Sequence, residues 1–178
     1  MTCIIGLEED GKIYIGGDSA SGYPNIVRST TTQKVFAIEP FIFGYTSSFR
    51  MGQILHYNID FPIPPESIYN EEYMVGIFIE IVRKQFKEYG FSKIETNEES
   101  GGTFLVGVAG QIWQVESDFQ VSRPKDGIFA IGSGSDVALG AMKALEHKLE
   151  PRERILDALA ISAYFCPYVR PPFVVLER

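Results

Sequence analysis

The first third of the chain consists of short runs rich in β-branched and aromatic residues, which is typical of strands. Strands are predicted there at residues 2–7, 12–17, 26–27, 34–38 and 41–45. Between the first two runs, Asp10-Gly11 supplies the positive-φ residues that a tight hairpin turn needs. Residues 19–24 are predicted to be a loop. The chain therefore begins as a β meander.

After these strands the apolar residues recur with the period of helices. A first helix is predicted over about residues 47–58, and the prolines within residues 61–65 exclude a helix until about residue 69. A second and longer helix is predicted between an Asn70 cap and Gly90, because its apolar residues recur at i, i+3 and i+4. This stripe is expected to pack on a sheet.

The second half of the chain repeats the order of strands followed by helices. After a polar loop predicted at residues 95–102, strands are predicted at residues 103–109, 111–116, 128–131 and 173–176, and helices at residues 135–148 and 151–165. The first two of these strands form a hairpin over Gly110. This order fits an α+β fold in which two stacked antiparallel sheets lie between two layers of paired helices.

The length and composition of the chain limit the classes of function. The chain has 178 residues, of which 45% are hydrophobic, so a single domain over residues 1–178 is expected. A net charge of -7 without a basic run argues against nucleic acid or an anionic membrane surface as a partner. Because neither a signal peptide nor a membrane-spanning run is evident, a cytoplasmic location is expected. Cys3 and Cys166 form no metal-binding or disulfide pattern, and both are predicted to be reduced core thiols.

The amino terminus carries the first candidate for chemistry. Thr2 is a small second residue of the kind that permits removal of Met1, which would leave a hydroxyl and a free α-amine on one residue. Because an α-amine titrates near about 7.7 to 8.0, it can take the proton of the hydroxyl and act as its base. The alternative is an ordinary strand residue behind the initiator Met. Cys3 is a rival nucleophile, but the free α-amine would be on Thr2, and the Cys3 side chain is expected in the core.

Two charged residues follow Thr2 at equal spacing. Asp18 lies sixteen residues after Thr2, and Lys34 lies sixteen residues after Asp18. An ammonium near the α-amine would lower the pKa of that amine, and a carboxylate would hold the ammonium in place. Asp18 could instead be a solvated turn residue, and Lys34 a surface cation.

The order of Met1-Thr2, Gly16-Gly17-Asp18 and Lys34 resembles the proteasome β-type family of N-terminal nucleophile hydrolases, which includes HslV-like peptidase subunits. The resemblance extends over residues 1–35, 43–45 and 128–134. It implies a four-layer αββα sandwich and places Ser133 beside the nucleophile as a hydrogen-bonding assistant. Ser133 could also cap the following helix.

Two positions depart from the pattern of this family. The family takes the oxyanion-binding N–H from a Gly-Gly step, where this chain has Ser47-Ser48. The Ser47 N–H is the expected donor, provided that the backbone conformation there accepts a side chain. In the last helix, Tyr164 occupies the position at which relatives carry an Asp.

The resemblance implies a threonine-type peptidase that uses neither a metal nor an organic cofactor. Such proteins act on polypeptide substrates and assemble as homo-oligomeric rings, which an ATP-driven AAA+ unfoldase feeds. Two alternatives stay open from the residues alone. One is an amidase of the same nucleophile class that acts on a small amide, and the other is an inactive ring-forming scaffold that retains Met1.

Overall fold

The strands and helices of the protein are given by a computed structural model that describes residues 2–23, 26–62 and 69–178. Its strands are β1 (Ile4–Glu9), β2 (Lys12–Gly17), β3 (Ala20–Tyr23), β4 (Ile26–Ser29), β5 (Val35–Ile38), β6 (Phe41–Tyr45), β7 (Lys93–Glu95), β8 (Glu98–Ser100), β9 (Phe104–Val108), β10 (Gln111–Val115), β11 (Val121–Ser122), β12 (Ile128–Ile131) and β13 (Val174–Glu177). Its helices are α1 (Phe49–Tyr57), α2 (Glu71–Tyr73), α3 (Ile79–Glu88), α4 (Ser135–Ala144) and α5 (Pro151–Phe165). A π-helical turn, Met74–Phe78, joins α2 to α3.

Two antiparallel sheets form the centre of the fold. A four-stranded sheet has the order β12-β1-β2-β13, and a five-stranded sheet has the order β11-β10-β9-β6-β5. Apolar residues from both sheets, among them Ile4, Ile15, Ile42 and Leu105, are buried against one another between them. Each sheet therefore packs one of its faces against the other sheet, as the stacked arrangement requires.

The two outer faces of the sheets are covered by helices. Helices α4 and α5 bury residues such as Met142 and Leu159 against the four-stranded sheet. Helix α1 and the helical segment from α2 to α3 bury residues such as Leu55 and Phe86 against the five-stranded sheet. The predicted αββα sandwich is thus confirmed. None of the helices in the described ranges is long and apolar enough to cross a membrane.

Local signals in the sequence explain several element boundaries. Asp10 and Gly11 have φ values of 52° and 76°, which suits the predicted hairpin turn between β1 and β2. Asn70 caps the second helical segment, because its Oδ1 accepts a hydrogen bond of 3.0 Å from the Tyr73 N–H. The proline-rich residues 63–65 lie outside the described residues.

Two predicted loops are wrong, because both contain hairpins. Residues 19–24 include β3, which pairs with β4, and residues 95–102 include β8, which pairs with β7. The second hairpin turns at Thr96 and Asn97, whose φ values are 51° and 69°. Both hairpins lie outside the two main sheets. The β7–β8 hairpin also buries little side-chain surface, so its residues do not alternate between apolar and polar. The alternation that normally predicts a strand is therefore missing from this part of the sequence.

Candidate active site

Thr2, Asp18 and Lys34 meet at one end of the sandwich because of the strand order. Thr2 precedes β1 and Asp18 follows β2, and these strands are antiparallel neighbours. Lys34 immediately precedes β5 of the facing sheet. Thr2 and Lys34 line one cavity of about 120 Å³, together with residues of β3 and of the segment after β6. The equal spacing in the sequence therefore corresponds to proximity in the structure.

The Asp18 carboxylate organises this end of the sheets. Its Oδ1 accepts hydrogen bonds from the Cys3 N–H at 3.0 Å and from Lys34 Nζ at 2.9 Å. Its Oδ2 accepts from the Ala20 N–H at 2.8 Å and from the Arg170 N–H at 3.3 Å. The side chain is fully buried, so the alternative of a solvated turn residue is wrong.

Lys34 forms a buried ion pair with Asp18. The exposed fraction of the Lys34 side chain is 2%, so Lys34 is not a surface cation. Burial lowers the pKa of Lys34 from its ordinary value of 10.5, and the Asp18 carboxylate opposes that shift. A positive charge is therefore held at a fixed position on the wall of the cavity that contains Thr2.

Ser133 contacts the main chain of Thr2 from the segment after β12. Ser133 Oγ accepts a hydrogen bond of 3.2 Å from the Thr2 main-chain nitrogen and lies 3.4 Å from the Thr2 carbonyl oxygen. Gly132 has a φ of 97°, and a Cβ there would lie 2.3 Å from the same carbonyl oxygen. Helix α4 has Gly134 at its N-cap and no side-chain cap, so the capping alternative for Ser133 is wrong.

Cys166 is a neighbour of this site that sequence reasoning placed only as a core thiol. Its Sγ lies 3.7 Å from Ser133 Oγ and 3.8 Å from the Ser133 carbonyl oxygen. Tyr164, at the position of the expected Asp, is 85% exposed. The end of α5 thus reaches Ser133 through a thiol. No spacing or motif in the sequence indicates this contact.

Cys3 is a core residue, as predicted. Its side chain is fully buried in the cluster between the four-stranded sheet and helices α4 and α5. Burial raises the pKa of the Cys3 thiol from 9.0 to about 12. Because the thiolate is the reactive form, Cys3 is a poor nucleophile at neutral pH.

Ser47 adopts the left-handed conformation that normally favours glycine. Its φ is 71°, and the Ser48 N–H donates a hydrogen bond of 2.8 Å to the Thr46 carbonyl oxygen across it, which forms a γ-turn. The Ser47 side chain accepts a hydrogen bond of 3.3 Å from the Thr103 N–H. Within the described part of the chain, the Ser47 N–H donates to no acceptor, and Ser47 lines the cavity that holds Thr2.

The comparisons with known proteins agree with this geometry. No protein-family model matches the chain. The chain is 28% identical over 185 residues to the ATP-dependent protease subunit HslV of Sulfurovum sp. (strain NBC37-1), and the match covers 99% of this chain and 97% of that protein. The chain is therefore similar to HslV over nearly the whole length of both proteins. The family resemblance predicted from the amino terminus is thereby confirmed.

Solved structures show the same fold as the HslV-like chain. Thiobacillus denitrificans BPH, in complex with epoxomicin, has a TM-score of 0.82 at 20% identity, with 99% of this chain and 97% of that chain covered. HslV from Trypanosoma brucei has a TM-score of 0.69 at 18% identity, with 98% of each chain covered. At these identities the similarity establishes the fold, namely that of N-terminal nucleophile hydrolases.

Proposed function

We propose that this HslV-like chain is a threonine-type peptidase subunit that cleaves peptide bonds with Thr2 after removal of Met1, a residue outside the described ranges. One observation carries the proposal: the buried Lys34–Asp18 pair lines the same cavity as Thr2. A buried ion pair stabilises a fold only weakly, because desolvation of both charges offsets their attraction. The position of this pair beside Thr2 is therefore better explained by a role in catalysis.

In the proposed acylation step, Thr2 Oγ attacks the substrate carbonyl carbon while the α-amine accepts the hydroxyl proton. The Lys34 ammonium disfavours a second positive charge nearby, so it lowers the pKa of that amine and keeps it neutral. The amine then gives the proton to the leaving nitrogen as the C–N bond breaks. Ser133 Oγ, 3.2 Å from the Thr2 nitrogen, orients the amine during both transfers.

The negative charge that develops on the carbonyl oxygen needs a donor in the cavity. The Ser47 N–H is suited to this role, because it donates no hydrogen bond to the described residues and Ser47 lines the cavity. A preorganised donor of this kind contributes roughly 3 kcal/mol to stabilisation of the transition state. Water then attacks the acyl-enzyme, and the second product leaves.

The matched HslV is a subunit of an ATP-dependent protease, so we extend this arrangement to the present chain. A homo-oligomeric ring and an AAA+ unfoldase partner are proposed. Large apolar side chains on the surface support an assembly, and they include Tyr57, Val75, Ile77, Leu139, Ile161, Tyr164 and Phe165. A cytoplasmic location stays a prediction.

The alternatives of a small-amide hydrolase and of an inactive scaffold gain no support from the full-length similarity to a protease subunit. Hydrolysis of a fluorogenic peptide by the purified protein tests the proposal. Thr2→Ala is expected to abolish hydrolysis, whereas Thr2→Ser is expected to retain part of it. Thr31→Ala, at an exposed threonine, serves as the matched control and should hydrolyse at the wild-type rate. Undiminished hydrolysis by Thr2→Ala would contradict the proposal.

A further inference from the structure

A second cavity adjoins the one that contains Thr2. It has a volume of about 410 Å³ and shares Thr46 and Ser47 with the first cavity, and its other lining residues include Gly132, Gln114 and Glu116. The two cavities therefore meet at the residue whose N–H is the proposed oxyanion donor. A peptide that places its carbonyl at this donor has one cavity on each side of the scissile bond.

The residues of β10 explain why this cavity is polar. Alternate residues of a strand share one face, so Ile112, Gln114 and Glu116 point to the same side. Ile112 is buried between the sheets, whereas Gln114 and Glu116 are half-buried near the end of the strand, where the cavity opens. Gln114 Nε2 donates to Glu116 Oε1, and the Glu116 N–H donates to the Gln120 carbonyl oxygen at 2.9 Å. The carboxylate is thus held in place by its neighbours.

The position of the amine decides which half of the substrate lies in this cavity. The group that gives its proton to the leaving nitrogen must lie on the same side as the leaving half of the substrate. The Thr2 nitrogen contacts Ser133 Oγ at 3.2 Å, and Gly132 and Ser135, just before and just after the Ser133-Gly134 segment, line the second cavity. Lys34 and Thr2 also line the first cavity, which leaves that cavity for the acyl half of the substrate. The second cavity is therefore on the side of the leaving amine.

Glu116 is the single charged residue among the described residues that line this cavity. A carboxylate in a partly enclosed cleft attracts cations and disfavours anions. We propose that the second cavity binds the leaving half of the peptide and that Glu116 makes it select lysine or arginine there over glutamate. This inference rests on the proposed peptidase function. In the step concerned, the Thr2 Oγ–C bond forms, the C–N bond breaks, and the proton from Oγ reaches the leaving nitrogen through the amine.

Internally quenched peptides test the inference in the assembled enzyme. Two peptides share the sequence before the scissile bond and carry either lysine or glutamate at the first two positions after it. The wild-type ratio of kcat/KM, lysine over glutamate, is expected to be about fivefold or more at low ionic strength and to fall as salt is added. Glu116→Gln should bring the ratio close to one, and Glu116→Lys should invert it. Glu98→Gln, an exposed carboxylate of β8, is the charge-matched control and should keep the wild-type ratio.

Labelling of the wild-type protein with a peptide epoxyketone tests the peptidase function separately from the role of Glu116, because this probe occupies only the acyl side. If Thr2 is labelled and Glu116→Gln keeps the wild-type ratio, the assignment of Glu116 is overturned and the peptidase function stands. If neither labelling nor cleavage occurs, both are overturned. Collapse of the ratio in Glu116→Gln, with the control unchanged, supports the assignment.

Discussion

The free energy of unfolding of Asp18→Ala tests how much the hydrogen bonds and the ion pair of the buried Asp18 carboxylate stabilise the fold. The carboxylate accepts four hydrogen bonds, one from Lys34 Nζ and three from backbone N–H groups, and its side chain is fully buried. Asp18→Ala leaves a buried ammonium without its counter-charge and removes the acceptor of those N–H groups. Breaking a buried pair in this way lowers the free energy of unfolding by about 3 to 5 kcal/mol.

This loss of stability is large enough to measure. For a chain of 178 residues, each kcal/mol corresponds to a change in Tm of roughly 2 to 4 °C. Asp18→Ala should therefore lower the Tm by about 6 to 20 °C, measured by circular dichroism at a fixed protein concentration. Asp18→Asn keeps an oxygen acceptor and should lie between the wild type and Asp18→Ala.

An ion pair at the surface provides the matched control for Asp18→Ala. Lys12 Nζ lies 2.7 Å from Glu177 Oε1, but the two side chains are 59% and 41% exposed. Because water and salt screen such a pair, Glu177→Ala should leave the Tm nearly unchanged. Similar changes in Tm for Asp18→Ala and Glu177→Ala would refute the reasoning, since they would mean that burial of the Lys34 pair contributes nothing.

Three further predictions concern Ser47, Lys34 and the two cysteines. Ser47→Gly should exceed Ser47→Ala in free energy of unfolding by about 1 kcal/mol in urea denaturation, because both lose the acceptor of the Thr103 N–H but only glycine adopts a φ of 71° without strain; equal values would contradict this. Because the Lys34 ammonium lowers the pKa of the Thr2 α-amine, Lys34→Met should shift the acidic side of the pH dependence of Thr2 labelling to higher pH. An acidic side unchanged in Lys34→Met would assign the pH dependence to another group. Since burial raises the pKa of Cys3 to about 12, iodoacetamide should modify Cys166 at pH 8 and leave Cys3 intact, as mass mapping of peptides would show.

Much of the fold could be predicted from the sequence, because its long elements bury a periodic apolar face. The β1–β2 hairpin and helix α5 follow directly from turn residues and helical spacing. The β3–β4 and β7–β8 hairpins could not be predicted in this way, since neither belongs to one of the two main sheets. Their strands are set by backbone pairing, which leaves no alternating pattern in the sequence.

The candidate site was predictable where spacing and strand order cooperate. Thr2, Asp18 and Lys34 lie at strand ends that the sheet topology brings together, so their equal spacing correctly predicted that they are close in space. The contact of Cys166 with Ser133 depends on where the chain turns after α5, which no local residue pattern specifies. The left-handed conformation of Ser47 could likewise not be predicted from the residue itself, because serine rarely adopts it.

Intact-mass analysis after incubation with a peptide epoxyketone tests the central claim most directly, namely that Thr2 becomes the amino-terminal nucleophile. The account predicts a chain that lacks Met1 and carries one adduct, which peptide mapping assigns to Thr2. The same treatment of Thr2→Ala should give no adduct. A wild-type chain that retains Met1 and stays unmodified, or an adduct that maps to another residue, would contradict the account.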